Sequence, residues 1–415
     1  MKQIKYFYKG LIAVLKKYLT VQQIHEYLLP YAALDSKLIS DSVEPEILFE
    51  IVFNQRPVDK DSILIIDTLI SYVNKIFTKE ESSKLLLELG TFMLTQGELN
   101  IVFEIATFVN NSTGDDMANE DLKASSFVLL AEHYIKQSMW NKAFEFIDKA
   151  KIIYKKDKIG NAKCEYLFGL IKLEKGDIVG SKFDLQNILT DVDVQNESLL
   201  TAMIEMKLGI ISCVQEDYEE ALCFYNKALK KFDQSDCING KAEVILYKGI
   251  IYKKLKDYQS AINQFDYCLE MAKKYDLVYI VSLGYLNKAE IFMRQKDVDL
   301  ASVFLSKSMQ LSYQLNNRSS VAKAYKIHGL IAKCKRSYLV AENYLTTSLR
   351  LNRELDLELE SVAVMLELGL LYKETGELKK ASFNFNNGLT YLKSQNIKKN
   401  SQEIELHISK LEMQK

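Results

Sequence analysis

Proline is nearly absent: three in 415 residues, Pro30, Pro45 and Pro57. Proline breaks helices, so beyond Pro57 helix ends must be set by other residues, such as Asp257, Asn239 with Gly240, and Asn316 with Asn317. Histidine is scarce too. His25, His133, His328 and His407 fall in four different segments, and none has a second His or Cys at ligand spacing. His328, beside Gly329, reads as an ordinary groove or packing residue. Six cysteines occur without a CxxC pair and read as buried thiols rather than disulfides. No metal or other cofactor is expected.

Long apolar runs are also missing. No window approaches the roughly 18 apolar residues of a membrane span, and the stretch 11–15 is too short for a signal peptide and is followed at once by Lys16 and Lys17. A cytoplasmic protein is expected. The formal charge is −1, which offers no general attraction to nucleic acid or acidic membranes. Lysine far outnumbers arginine, the better bidentate phosphate reader. No phosphate-binding glycine loop, zinc-protease or nucleophile-elbow motif is found. The acidic pairs at 115–116 and 219–220 read as solvated turns, so no catalytic residue is named and no enzymatic activity is expected.

What is present is a period. Gly209, Gly249, Ala289, Gly329 and Gly369 stand 40 residues apart, and 12 residues after each comes Ala221, Ala261, Ala301, Ala341 or Ala381. Apolar residues at Val244, Leu246, Ile250, Ile251 and Leu255 have helical spacing, as do Ala261, Ile262, Phe265, Leu269 and Met271. A short polar turn at Lys256 and Asp257 separates the two. Each unit is therefore a helix–turn–helix hairpin whose helices cross at the small residues, with Phe265 filling the space that the small pair leaves. Gly249 and Gly329 should accept Ala but not Leu at such a crossing. A fixed period of this length means a stacked array, an architecture built for holding other molecules.

The unit resembles a tetratricopeptide repeat. Its first helix carries a small residue and an aromatic, as in Gly249 with Tyr252, Ala289 with Phe292, and Gly369 with Tyr372; its second carries Ala221, Tyr225 and Ala228. Weaker copies use Ala131 with Ala143, Gly169 with Ser181, and Gly90 with Val102. The resemblance implies an all-α, right-handed α-solenoid of antiparallel helix pairs. We expect an N-terminal helical segment or cap over 1–80, an array of about eight helix pairs over 81–397, and a capping helix over 398–415. The repeat exceeds the family's usual length of about 34 residues. It resembles the longer repeats of kinesin light chains, cell-polarity adaptors and bacterial peptide-sensing regulators.

The first eighty residues lack the rhythm but keep helical periodicity over 6–19, 21–29, 45–53 and 61–77. They read as a cap for the array. They also loosely resemble the helix-turn-helix domain that precedes long repeats in peptide-sensing regulators. Against DNA reading, the recognition stretch offers only Lys37 among Asp35, Asp41, Glu44 and Glu46.

In arrays of this kind the first helix of each pair lines the concave face. Transferring that geometry places Lys253, Lys254, Arg294, Lys323, Lys326, Lys333 and Lys373 in the groove, opposed by Glu243, Glu290 and Glu374. Upstream the same positions turn apolar: Tyr166, Leu170, Met203, Met206, Ile210 and Val214. Asn287 is the type of residue that holds a bound peptide's backbone in related arrays. The same lysines could instead be a solvated face and the apolar set core. The carboxylate clamp that some family members use needs paired Lys and Asn positions, and only isolated lysines match. The expected function is a non-catalytic adaptor or scaffold that binds a protein or peptide segment, acidic and apolar in character, in the concave groove. The alternative is a peptide-sensing regulator acting through its N-terminal helical segment.

Overall fold

From Ser198–Val214 to Leu378–Ser394 each of the ten consecutive helices is 17 residues long, and three-residue turns separate them. A 17-residue helix spans about 25 Å. The 40-residue period is thus two equal helices and two equal turns. In the computed structural model, residues 6–28, 44, 45, 47, 48, 58–114 and 119–412 are described, and all regular structure among them is helical.

The turns explain how helices end without proline. The middle residue of each turn adopts positive φ, at Glu216, Asp236, Lys256, Asp276, Lys296, Asn316, Arg336, Asp356, Gly376 and Asn396, a spacing of twenty throughout. The next residue donates its N–H five residues back into the finished helix, as in Asp257 N to Tyr252 O at 3.0 Å and Asn317 N to Ser312 O at 2.9 Å. That bond pattern is the Schellman closure. The same residue then caps the following helix: Asp217, Asp257, Asp297 and Asn317 accept from Glu220 N, Ser260 N, Leu300 N and Ser320 N at 2.7–3.1 Å. One residue thereby closes two helices, the first with its backbone N–H and the second with its side chain. The expected boundary at Asn239 and Gly240 is corrected, since both lie inside Ile238–Lys254. Gly240 is small for another reason: a Cβ there would lie 2.6 Å from the Phe232 ring.

The described residues group into two compact units, Met1–Ile135 with Asn141–Asp157 and Lys273–Leu277, and Lys136–Trp140 with Lys158–Ala272 and Val278–Lys415. In the first, the helix Tyr6–Leu15 packs on Lys79–Gln96: Gly10 abuts the Phe92 ring, and Lys17 and Tyr18 both bind Glu88. Helices Val21–Leu28 and Val58–Ile76 are also present. Gly90 packs on Ile105 and Leu129. The stretch around Lys37, with Asp35 and Asp41, and most of the expected helix over 45–53 lie outside the described residues.

In the second unit the five repeat alanines are fully buried. The open face of each small residue is filled from 16 residues on, one turn beyond the alanine. Added Cβ atoms would lie 2.5 Å from the Tyr225 ring at Gly209, 2.6 Å from Phe265 at Gly249, 2.5 Å from Phe385 at Gly369 and 2.7 Å from Leu345 at Gly329. A second seam recurs at the same period. Cys268, Ser308 and Ser348 donate to the carbonyls of Ala242, Ser282 and Ala322, the last at 2.7 Å. Free Cys268 thus sits buried where the repeat wants a small residue.

The ribbon expected from the sequence closes on itself. Within this unit Trp140 Nε1 donates to Leu355 O at 2.8 Å, and Tyr391 OH to Gly176 O at 2.7 Å. Gln395 Oε1 accepts from Ile178 N at 2.8 Å and Val179 N at 3.3 Å, capping the helix Ile178–Ile188. Asn400 N donates to Glu216 at 3.2 Å. Three successive early turns, at 140, 175–179 and 216, therefore meet later turns at 355–356, 391–395 and 400 in step, so the solenoid coils back on itself and the inner face becomes the wall of a ring-like turn.

The expected tolerance of glycine to alanine is corrected by these contacts, because rigid buried rings stand where the methyl would go. Gly249→Ala and Gly369→Ala should each cost about 1–3 kcal/mol by overpacking. Gly329→Ala should cost less than half of that. Its filler is Leu345, and the chain already pairs Ala289 with Leu305, both fully buried. Urea unfolding of the three variants checks the order.

Candidate functional site on the inner face of the ring

Four of the cations named from the sequence, Lys253, Lys323, Lys326 and Lys333, meet glutamates carried by the next first helix. Lys253, at the end of Ile238–Lys254, reaches forward to Val278–Arg294 and bonds Glu290 at 2.6 Å and Asn287 Oδ1 at 2.7 Å. Arg294 grips the same Glu290 at 2.9 Å. Lys323 and Lys326, on Arg318–Cys334, reach forward to Glu360 at 3.1 and 4.0 Å. Lys333 lies 3.6 Å from Glu374, and Lys207 lies 3.9 Å from Glu243. Five of the seven cations named for the groove are therefore paired with glutamates, and a sixth, Lys373, lies 3.4 Å from His407 Nδ1. Glu360 had gone unnoticed in the sequence, although it stands 37 residues after Lys323 just as Glu290 does after Lys253.

These groups are withdrawn but not sealed: the side chains of Lys253, Lys326 and Glu290 keep 11%, 18% and 18% of their surface. Burial pushes the Glu290 carboxyl up, yet Lys253, Lys326 and Arg294 outweigh it and hold the group well below the usual carboxylate range. Glu360 is likewise lowered, with Lys323 and Lys326 overcoming burial. The Lys253 ammonium is lowered because burial outweighs its attraction to Glu290. Burial pushes the Tyr247 phenol well up, with Glu243, Tyr279 and Glu174 adding to the effect. Burial raises Tyr279 too, and Lys136, Lys323, Glu174 and Glu243 all act on it. Side chains from opposite parts of the chain thus bear on one phenol, as a closed wall requires.

The apolar half is placed differently. Tyr166 and Met206 each keep only 4% of their surface, and Met206 packs with Ala221, Tyr225 and Val244. Met203 and Ile210 lean on that same cluster, and Val214 leans on the cluster around Phe385. Of the named site residues, then, Lys253, Asn287 and Arg294 gather at Glu290, Lys323 and Lys326 share Glu360, Lys333 pairs separately with Glu374, and Tyr166 and Met206 belong to the packing. Asn287 is engaged on both sides, since its Nδ2 donates to Leu283 O at 2.9 Å. His328 stacks on Tyr344 at 5.1 Å rather than facing a ligand. Among the described residues no three His, Cys, Asp or Glu side chains group as metal ligands, and no helix is long and apolar enough to cross a membrane.

No protein-family model matches the chain, and no curated protein matches its sequence. Solved structures do match. NprR in complex with its cognate peptide NprX superposes with a TM-score of 0.57 at 15% identity, covering 80% of this chain and 98% of that one. A Rap protein complexed with competence and sporulation factor gives 0.56 at 10%, again over 80% and 98%. Cut9–Hcn1 of the APC/C gives 0.50 at 13%, over 95% and 67%. At such identities the likeness defines the fold. The chain is a tetratricopeptide-repeat α-solenoid, as the periodic small residues implied.

The charge network sets the acid response. Burial lowers His133 and His328 below the ordinary value of 6.5, and His407 is lowered by burial and Lys373. Each folded value lies below the unfolded one, so protons bind the unfolded chain first and stability falls as pH drops below 6.5. Glu290 and Glu360 add a second loss as pH falls below 4.5 through their lowered values. Thermal melting should therefore weaken in two stages on acidification. Glu290→Gln should cost about 1–3 kcal/mol at pH 7 and blunt the lower stage.

Proposed function

We propose that the protein is a non-catalytic adaptor that holds an extended protein or peptide segment against the inner face of its helix ring. The observation that carries this is the half-wet network of Lys253, Asn287, Arg294, Lys323, Lys326 and Glu360 drawn from four successive first helices. Such a surface offers both signs of charge and an amide at close spacing. A peptide backbone with acidic side chains would exchange with the resident glutamates at little net loss of ion pairing. The apolar part of the segment would rest on Tyr247 and Tyr279, which keep part of their surface. The fold's occurrence in NprR bound to NprX supports a peptide-sized occupant.

A second arrangement, sensing rather than scaffolding, draws support from another chain of this fold, described as the Rap conjugation gene regulator of a plasmid in complex with a peptide, TM-score 0.55. Output would then pass through the N-terminal helices. In that case partner binding should change hydrogen exchange in Tyr6–Leu15, whereas a plain scaffold leaves it unaltered.

To test the site, partner peptides recovered by the purified chain are titrated against variants. Asn287→Ala and Lys323→Glu should each weaken binding by about tenfold or more, about 1.4 kcal/mol. Phe383→Ser, on an exposed outer position, should bind as the parent does. Equal affinity of all four proteins would place the partner elsewhere.

A further inference from the structure

Building on that proposal, we infer that the seam closing the ring is a gate, held by Tyr391 and Gln395 on one side and the turn at 176–179 on the other, which opens to admit the bound segment. The seam differs in kind from the junctions inside the array. Those are filled by wholly buried side chains such as Tyr225, Phe265 and Phe385. The seam is mainly side chain to backbone: Tyr391 OH to Gly176 O, Gln395 to the amides of Ile178 and Val179, and Glu216 to the amide of Asn400. Its ion pair, Lys175 with Asp356, spans 3.7 Å between side chains that are 40% and 63% exposed, a weak kind of contact. Trp140, 5% exposed, and the half-buried Val214 supply its apolar share, which is the one dry part of the seam. Polar, partly wet contacts can break and re-form against water, whereas an aromatic drawn from a dry junction cannot. The seam is accordingly the place where local opening is least costly.

One position is shaped for this closure. Gly176 has φ of 98°, and a Cβ there would meet Tyr391 Oη at 2.7 Å and Leu359 N at 2.9 Å. Gly376 occupies the same place in its own turn with φ of 84°, and a Cβ there would meet nothing within 4 Å. Both substitutions to alanine strain the backbone alike, but only Gly176→Ala wedges the seam. The pair therefore separates gate opening from turn strain.

Hydrogen exchange of the full chain tests the gate without a ligand. In the parent protein the amides of Val179 and Asn400 should exchange at least tenfold faster than those of Tyr258–Lys274. Tyr391→Phe, Gln395→Ala and Gly176→Ala should each speed them a further tenfold while leaving that helix unchanged, and Gly376→Ala should not. Seam amides as slow as the core, or variants that speed all amides together, would mean that the ring unfolds as one body and no gate exists. Capture is then timed with a random pool of N-acetylated decapeptides. Gly176→Ala should load at least fivefold faster than Gly376→Ala. Equal loading overturns the gate and leaves peptide binding standing; retention of no peptide by any form overturns the lumen site itself.

Discussion

A glycine in the first helix of a pair receiving a ring from the second is the contact on which the array depends. Removing one side chain lets the helix axes approach. The Tyr225, Phe265 or Phe385 ring then fills the space with no void. The buried alanine one turn earlier keeps the backbones close along the rest of the crossing. Repeating this lock at a constant interval makes every hairpin nearly the same shape. Identical shapes stack with a constant rotation, and a constant rotation is what eventually brings the first pair of the second unit round to the last.

Closure changes what the inner surface is. In an open groove, the seven cations named from the sequence would draw an acidic segment by long-range attraction. In a ring, Lys253 and Lys323 find Glu290 and Glu360 on the first helix of the next pair, and the field is largely spent internally. A partner would then be recognised by exchange of pairs rather than by attraction. Such recognition favours fit over charge alone, since each displaced carboxylate must be replaced by one of equivalent geometry.

The small residues, the alanines that follow them and the aromatic fillers could all be found in the chain because a helix of fixed pitch turns spacing into facing. The turns were legible only where Asp or Asn marks the cap, at Asp257 and Asn317. Elsewhere the left-handed residue is Lys256, Lys296 or Arg336, types that carry no turn signal. Gly240 misled for the same reason in reverse, because its glycine answers to Phe232 rather than to the backbone. The site lysines were placed in the groove only by the resemblance to similar arrays, and their partners were not legible at all. Pairing across 34–37 residues depends on the rotation between hairpins, and rotation leaves no mark in the period.

The sequence by itself determined that the chain is a stack of helix hairpins and where each pair crosses. These follow from local geometry, where 3.6 residues per turn and the size of a side chain suffice. Only the tertiary structure decided that the stack coils back on itself, that Tyr166 and Met206 lie in its packing, and that Lys253, Arg294, Lys323, Lys326 and Lys333 are already paired. Those outcomes sum small rotations over several repeats. A sum of that kind is a property of the assembled array and of no single residue within it.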